Sequence, residues 1–295
     1  MYLLKNLVTD AIKQCKESKI DNYNLSIFVL LEYSCQKTKL DYVVQPDSKI
    51  PKPQAKLFNE YIKQLISGVP LYRIINERDF FGLKLQLTPE TLEPRFDTEI
   101  IVELAISYIS NLLKNQEAIN FLDIGIGSGA ISLAILNHFR NYNVTAVGVD
   151  IQPSCVKTAK INSVKHNLDK KIEIFTSDCF ASVNDKFDII ISNPPYIPTM
   201  DIENLQDNVK LYDPITALDG GQDGLEFYKI IAKQSQNYLQ NSKIVILEIG
   251  YDQKKKVTDL FLQNNYIALK SLKDYNNLDR TLSFTLNPEM ATQLI

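Results

Sequence analysis

An apolar run, Ile119-Asn120-Phe121-Leu122-Asp123-Ile124, passes directly into Gly125-Ile126-Gly127-Ser128-Gly129 and then into helical periodicity over 130–140. A buried strand, a glycine turn and a helix in immediate succession form one unit of a parallel α/β sheet, with the turn at the carboxyl end of the strand. Glycines there allow a tight bend and let a ligand come close to the backbone. The rest of the chain repeats the alternation. Further strands are expected over 144–149, 172–175, 187–192, 243–249, 266–269 and 281–286, and helices over 99–113, 153–166 and 224–239. This predicts a seven-stranded, doubly wound, Rossmann-like sheet. The segment between the last two strands is too short for a crossover helix, so that pair should be antiparallel.

Upstream the character differs. Residues 1–75 show three- and four-residue apolar spacing, as in Leu4, Leu7, Val8, Ala11 and Ile12, with no strand-like alternation. A third helical stretch over 54–66 follows Pro51 and Pro53 and ends at Gly68 and Pro70. Residues 80–88 then alternate apolar and polar, which suits a hairpin. The expected organisation is a small helical domain over 1–75, a hairpin linker over 76–96 and the α/β domain over 97–295.

Composition excludes several classes. The chain has 295 residues, 45% of them hydrophobic, and a formal net charge of -3, which fits a globular protein and argues against one that lives on free nucleic acid. Cys15, Cys35, Cys155 and Cys179 form no C-x-x-C pair and read as free thiols. His138 and His166 have no ligand-spaced partner, so no metal site is expected. No signal peptide and no membrane span are evident, and the expected setting is the cytoplasm.

Gly125, Gly127 and Ala130 satisfy the loose dinucleotide pattern G-x-G-x-x-G/A, so NAD has to be weighed. Three acids argue against it. Asp123, just before the loop, would repel a pyrophosphate and suit a cation. Asp150, at the end of the second strand, suits ribose hydroxyls. Asp178, after the third, could accept from an adenine amino group. Together they specify an adenosine with a positive, phosphate-free tail: S-adenosylmethionine. Two competing readings stand beside this, Asp150 as a helix cap and Asp178 as a turn residue.

The fourth strand ends in Asn193-Pro194-Pro195-Tyr196. The prolines stiffen this turn before any substrate arrives. The Asn193 carboxamide oxygen and the Pro194 carbonyl offer two acceptors for a planar NH2 group, and the Tyr196 ring is expected to pack against its plane. Such a nitrogen is a poor nucleophile because its lone pair is delocalised. Positioning it, with acceptors that strengthen as it becomes cationic, lowers the barrier to methyl transfer.

The tetrad resembles that of amino methyltransferases acting on planar NH2 groups, and the whole chain resembles the bacterial release factor glutamine methyltransferases, the HemK/PrmC family. Glu93-Pro94-Arg95-Phe96-Asp97-Thr98-Glu99, Ala217-Leu218-Asp219-Gly220-Gly221-Gln222-Asp223-Gly224-Leu225, Leu247-Glu248-Ile249-Gly250-Tyr251-Asp252-Gln253 and Asp279-Arg280 carry the resemblance further. It implies a class I methyltransferase sheet behind a helical domain. It also implies methylation of the glutamine N5 in the Gly-Gly-Gln motif of class 1 peptide release factors. Asp123, Ile124, Gly125, Ile126, Gly127, Asp150, Cys179 and Asn193 would line the donor site, with Asn193, Pro194, Pro195 and Tyr196 on the glutamine. Cys179 stands where relatives often carry tryptophan, Ile249 where they carry histidine and Phe96 where they carry proline. Arg95 is expected to tie its loop to an acid such as Asp123 or Glu248. An adenine N6-methyltransferase, whose substrate presents the same NH2, is the competing activity.

Overall fold

A computed structural model describes residues 1–294. They divide into two compact units, Met1–Glu77 and Arg78–Ile295.

The first unit is built of helices Leu4–Glu17, Tyr23–Cys35, Lys39–Val44, Lys52–Ile66 and Leu71–Ile75. Leu4, Leu7, Val8, Ala11 and Cys15 form the buried stripe of the first helix and meet Ile27, Leu30 and Leu31 of the second and Phe58 and Ile62 of the fourth. Two details depart from the sequence reading. The stretch expected over 54–66 begins at Lys52, because Pro53 sits in the first helical turn, where its missing N–H costs nothing. The short helix Lys39–Val44 is set by a capping box in which Thr38 and Asp41 bond reciprocally. Tyr2–Leu3 also pairs with Lys49–Ile50, a contact too short to leave any alternation in the sequence.

The second unit carries a sheet of seven strands: β1 (Ile119–Ile124), β2 (Val144–Asp150), β3 (Ile172–Thr176), β4 (Phe187–Ser192), β5 (Leu239–Glu248), β6 (Ile267–Lys273) and β7 (Asp279–Thr285). Their spatial order is β6-β7-β5-β4-β1-β2-β3. The pairs β5–β4, β4–β1, β1–β2 and β2–β3 are parallel. β7 is antiparallel to β6, as the short connection predicted, and also to β5. Neighbouring strand residues divide between two apolar layers. Phe121, Ile189, Ile191, Ile244 and Ile246 pack with helices Glu99–Leu112, Ala130–His138 and Pro153–Lys165. Leu122, Ile190, Val245 and Leu247 pack with helices Glu226–Gln234 and Lys254–Gln263. A sheet covered on both faces explains why its strands read as continuous apolar runs.

The hairpin pairs Glu77–Phe80 with Leu83–Gln86. Its turn residues Phe81 and Gly82 both have positive φ, 46° and 78°, the geometry of a type I′ turn. The first arm begins earlier than alternation suggested because Arg78 is buried, with its guanidinium 3.6 Å from Glu93 and over the Phe96 ring. Phe80, Leu83 and Leu85 join the first apolar layer. Asn162 then fixes the second arm: it accepts from the Gln86 N–H (2.8 Å) and donates to the carbonyls of Gln86 (3.0 Å) and Ser128 (2.8 Å).

Candidate active site

The strand order reverses between β1 and β4, the place where open α/β sheets open a crevice. After β1, Gly125 and Gly127 take φ of +76° and +56°. These values keep the backbone turning so that the N–H groups of Gly125 and Ile126 both reach the Val149 carbonyl at 2.9 Å. Asp150 completes the loop: one carboxylate oxygen accepts from Gly127 N–H and the other from Gln152 N–H, each at 2.9 Å. Burial raises its carboxyl pKa, and the backbone donors oppose that rise. The helix starting at Pro153 receives no side-chain cap bond from its N-cap residue, Gln152. The Asp150 carboxylate thus braces the glycine loop, and each oxygen keeps a lone pair for a hydroxyl.

The turn after β3 is organised by Ser177, whose hydroxyl donates to the Cys179 carbonyl and accepts from Ser182 N–H, both at 3.0 Å. This holds Cys179 at φ 44° and leaves Asp178 exposed. Burial, and then the Asp178 charge, push the Cys179 thiol up to about 12, so it stays a neutral apolar surface.

These loops enclose a cavity of about 340 Å³, within the size range of small-ligand sites. Ile124, Gly125, Gly127, Asp150, Asp178, Cys179, Asn193, Pro194 and Pro195 line it. Asp123 and Ile126 are not among its lining residues. The Asp123 carboxylate is buried and accepts from the Ser132 hydroxyl at 2.6 Å, and desolvation raises its pKa to about 6. Asp123 braces the following helix instead of facing a cation. The acidity of the cavity comes from Glu90, Asp150, Asp178 and Glu226, and no Lys, Arg or His lies among its described lining residues. That donor set fits a cationic, phosphate-free ligand and opposes a pyrophosphate.

Asn193 and both prolines stand at the cavity wall, but Tyr196 does not. Its ring packs against the second apolar layer, and burial, then the nearby Glu248 charge, raise the phenol to about 12. The ring expected against the substrate amide is drawn away by this apolar contact. The backbone around it is braced by a second segment. Ile197 N–H donates to Leu218 (3.0 Å), Gly220 N–H to Ile197 (2.8 Å) and Thr199 N–H to Gly221 (3.0 Å). A Cβ on Gly220 would stand 2.8 Å from the Pro195 carbonyl oxygen, so only glycine permits this approach.

Arg95 pairs with Asp213 and, at 3.9 Å, with Glu93, not with Asp123 or Glu248. Asp123 is committed to Ser132, and Arg280 is the cation facing Glu248. Arg280 in turn pairs with Asp274 (2.9 Å) and Asp97 (3.6 Å).

With this geometry in place, the curated relatives are decisive. A release factor glutamine methyltransferase of Agrobacterium fabrum is 36% identical over 83% of this chain and 84% of its own length. Another, of Buchnera aphidicola subsp. Schizaphis graminum, is 36% identical over 90% and 93%. A third, of Clostridium acetobutylicum, is 32% identical over 95% and 97%. This chain belongs to the release factor glutamine methyltransferase family. Two domain models match it as well, the PrmC N-terminal domain over residues 6–75 and the methyltransferase small domain over 104–208. Among solved structures, the hMettl16 catalytic domain in complex with MAT2A 3′UTR hairpin 6 superposes with a TM-score of 0.56 at 16% identity. That superposition covers 83% of this chain and 86% of that one, and it shows the shared fold.

In this release factor glutamine methyltransferase family member, sequence reasoning missed part of the cavity wall. Ile151, Phe227 and Ile230 supply its apolar side, and Glu90 and Glu226 half of its acids. Ile151 was within reach, since an apolar residue directly follows the strand-ending Asp150. The others come from distant segments that carry no local signal.

Proposed function

We propose that this chain transfers a methyl group from S-adenosylmethionine to the side-chain amide nitrogen (N5) of the glutamine in the Gly-Gly-Gln motif of class 1 peptide chain release factors. One observation carries the reading: Asn193 and Pro194 stand at the wall of a cavity lined by four carboxylates and, among the described residues, by no basic side chain. Asp150 would hold the ribose, Asp178 the adenine amino group, and Ile151 and Cys179 an apolar edge of the base. When bound, the donor supplies a methyl group on a sulfonium, with a neutral thioether as leaving group. The Asn193 Oδ1 and the Pro194 carbonyl accept the two N–H bonds of the glutamine amide, turning its nitrogen toward the methyl carbon. Charge then grows on that nitrogen, and both acceptors bind it more strongly than they bind the neutral amide. The methylated nitrogen finally sheds one proton to water. The helical unit is the part of the chain we assign to docking the protein substrate, and the protein would work in the cytoplasm.

The test is mass spectrometry of a purified class 1 release factor incubated with the protein and donor. One added methyl group on the glutamine of its Gly-Gly-Gln motif is expected. Transfer to adenine in a nucleic acid duplex, with the release factor untouched, would overturn the reading in favour of an N6-adenine activity.

A further inference from the structure

Glu248 ends β5, next to the strand that delivers Asn193, and is buried although it carries a carboxylate. Hydrogen bonding from the Thr98 and Asn193 side chains lowers its pKa, while its Oε2 has no hydrogen-bond partner among the described residues. Asn193 Nδ2 also donates to Thr98 Oγ1 at 3.4 Å. Glu248, Thr98 and Asn193 thus form one polar cluster. An ionised carboxylate can only accept, so Thr98 must point its proton at Glu248, and the lone pair of Thr98 must then receive Asn193 Nδ2. Both donors of the Asn193 carboxamide are thereby committed to the protein, and Oδ1 is the atom left for the cavity.

We propose that Glu248 is a positioning residue for Asn193: its ionised carboxylate locks the carboxamide so that Oδ1, not Nδ2, meets the substrate NH2. This deepens the methyl-transfer reading and rests on it for the identity of that NH2. A carboxamide flipped by half a turn would present N–H to N–H, and the acceptor needed in the transition state would be gone. The lock depends on charge. Once protonated, Glu248 becomes a donor, Thr98 is released to turn, and both carboxamide orientations become available.

Several groups face this carboxyl. Arg280 of β7 lowers its pKa, Asp97 raises it, and Thr98 and Asn193 lower it by donating. Tyr196 and, from helix Glu226–Gln234, Tyr228 lie within its field. Desolvation outweighs the rest and raises the pKa to about 7, so the lock engages across the neutral range.

The experiment uses the full-length protein with asparagine labelled by ¹⁵N, its Asn193 side-chain resonance assigned by its loss in Asn193→Ala. In the wild type, the carboxamide signal is expected to move with pH about a midpoint near neutrality; in Glu248→Gln it should not. In parallel, kcat on release factor should rise through the same midpoint. Glu248→Gln should lower kcat about 10- to 100-fold, as expected for a misplaced reacting group. It should remove the acidic limb and leave donor affinity within about 3-fold. Glu248→Gln removes a buried charge, so loss of folding is not the expected outcome. A stationary wild-type signal, or a variant with full kcat and an unchanged pH profile, overturns the proposal. A titrating signal in a wild type that leaves release factor unmodified would retire the substrate reading and keep the positioning role.

Discussion

Gln253 donates from Nε2 to the carbonyl of Tyr196 at 2.8 Å and to that of Gly224 at 3.2 Å, while its Oε1 accepts from Gly250 N–H at 3.0 Å. One buried carboxamide thus ties the end of the Asn-Pro-Pro-Tyr turn to the glycine segment that braces it and to the turn after β5. Gln253→Ala would strand the two carbonyls and the Gly250 N–H, at about 1 kcal/mol or more for each group left unpaired. A loss of roughly 3 kcal/mol in denaturant unfolding is expected, with kcat falling as the turn loosens. Full stability in the variant would contradict the clamp.

Asn193→Ala removes the acceptor we propose for the substrate amide but leaves the acid-lined wall in place. We expect kcat to fall about 100-fold or more, the size of effect seen when a transition-state hydrogen-bond partner is lost. Donor affinity measured by calorimetry should stay within about 3-fold. Parallel losses in turnover and donor binding would show that Asn193 serves the donor instead.

Asp150→Ala is expected to do the reverse. It deletes the proposed ribose acceptor and the partner of Gly127 N–H. Donor binding should weaken by about 10-fold or more, given roughly 1.5 kcal/mol or more for each hydrogen bond to a charged group. Unchanged affinity in a titration calorimeter would remove the ribose assignment.

Asp123 and Glu248 both bind their protons more tightly in the folded protein, with pKa values of about 6 and about 7 against ordinary values of 3.8 and 4.5. For raised carboxyl pKa values the sign is fixed. The unfolded chain loses these protons first, so the contribution to stability is fullest in acid. It declines as pH rises from 3.8 to 6 for Asp123 and from 4.5 to 7 for Glu248. Each shift corresponds to about 3 kcal/mol in total. Comparing urea unfolding at pH 5 and pH 8, Asp123→Asn should lose roughly 1 kcal/mol less than the wild type. Identical pH dependence of the two proteins would place the ionisation elsewhere.

On helix Lys39–Val44, Leu40, Val43 and Val44 are exposed although apolar. If the helical unit docks the release factor, Leu40→Glu combined with Val44→Glu should raise KM for that protein about 10-fold, the loss of one or two contact residues at roughly 1 kcal/mol each. Donor affinity and kcat should hold. An unaltered KM in steady-state assays would move the docking surface off this helix.

The Asn-Pro-Pro-Tyr turn was legible in the sequence because its features are local. Asn193-Pro194-Pro195-Tyr196 declares its stiffness through fixed φ, and Gly125 and Gly127 declare a tight bend through the absence of Cβ. The sheet could be counted for a related reason: apolar strand runs and helical periodicity repeat within short windows. Even there, Arg78 concealed the start of the hairpin, since a buried guanidinium paired with Glu93 looks like a surface residue in the sequence.

The tertiary structure decided which acid faces what. Asp123 and Asp150 look alike as strand-end carboxylates, but one is spent on Ser132 and the other meets the cavity. Arg95 likewise pairs with Asp213 and Glu93 in place of the Asp123 or Glu248 that the sequence suggested. A carboxylate's role depends on the direction of its side chain and on how much water it loses. Both are set by segments far apart in the chain: Glu90, Glu226 and Glu248 reach the site only because the sheet is wound. Local sequence therefore determined the framework and the Asn-Pro-Pro-Tyr turn, and packing alone distributed the charge around them.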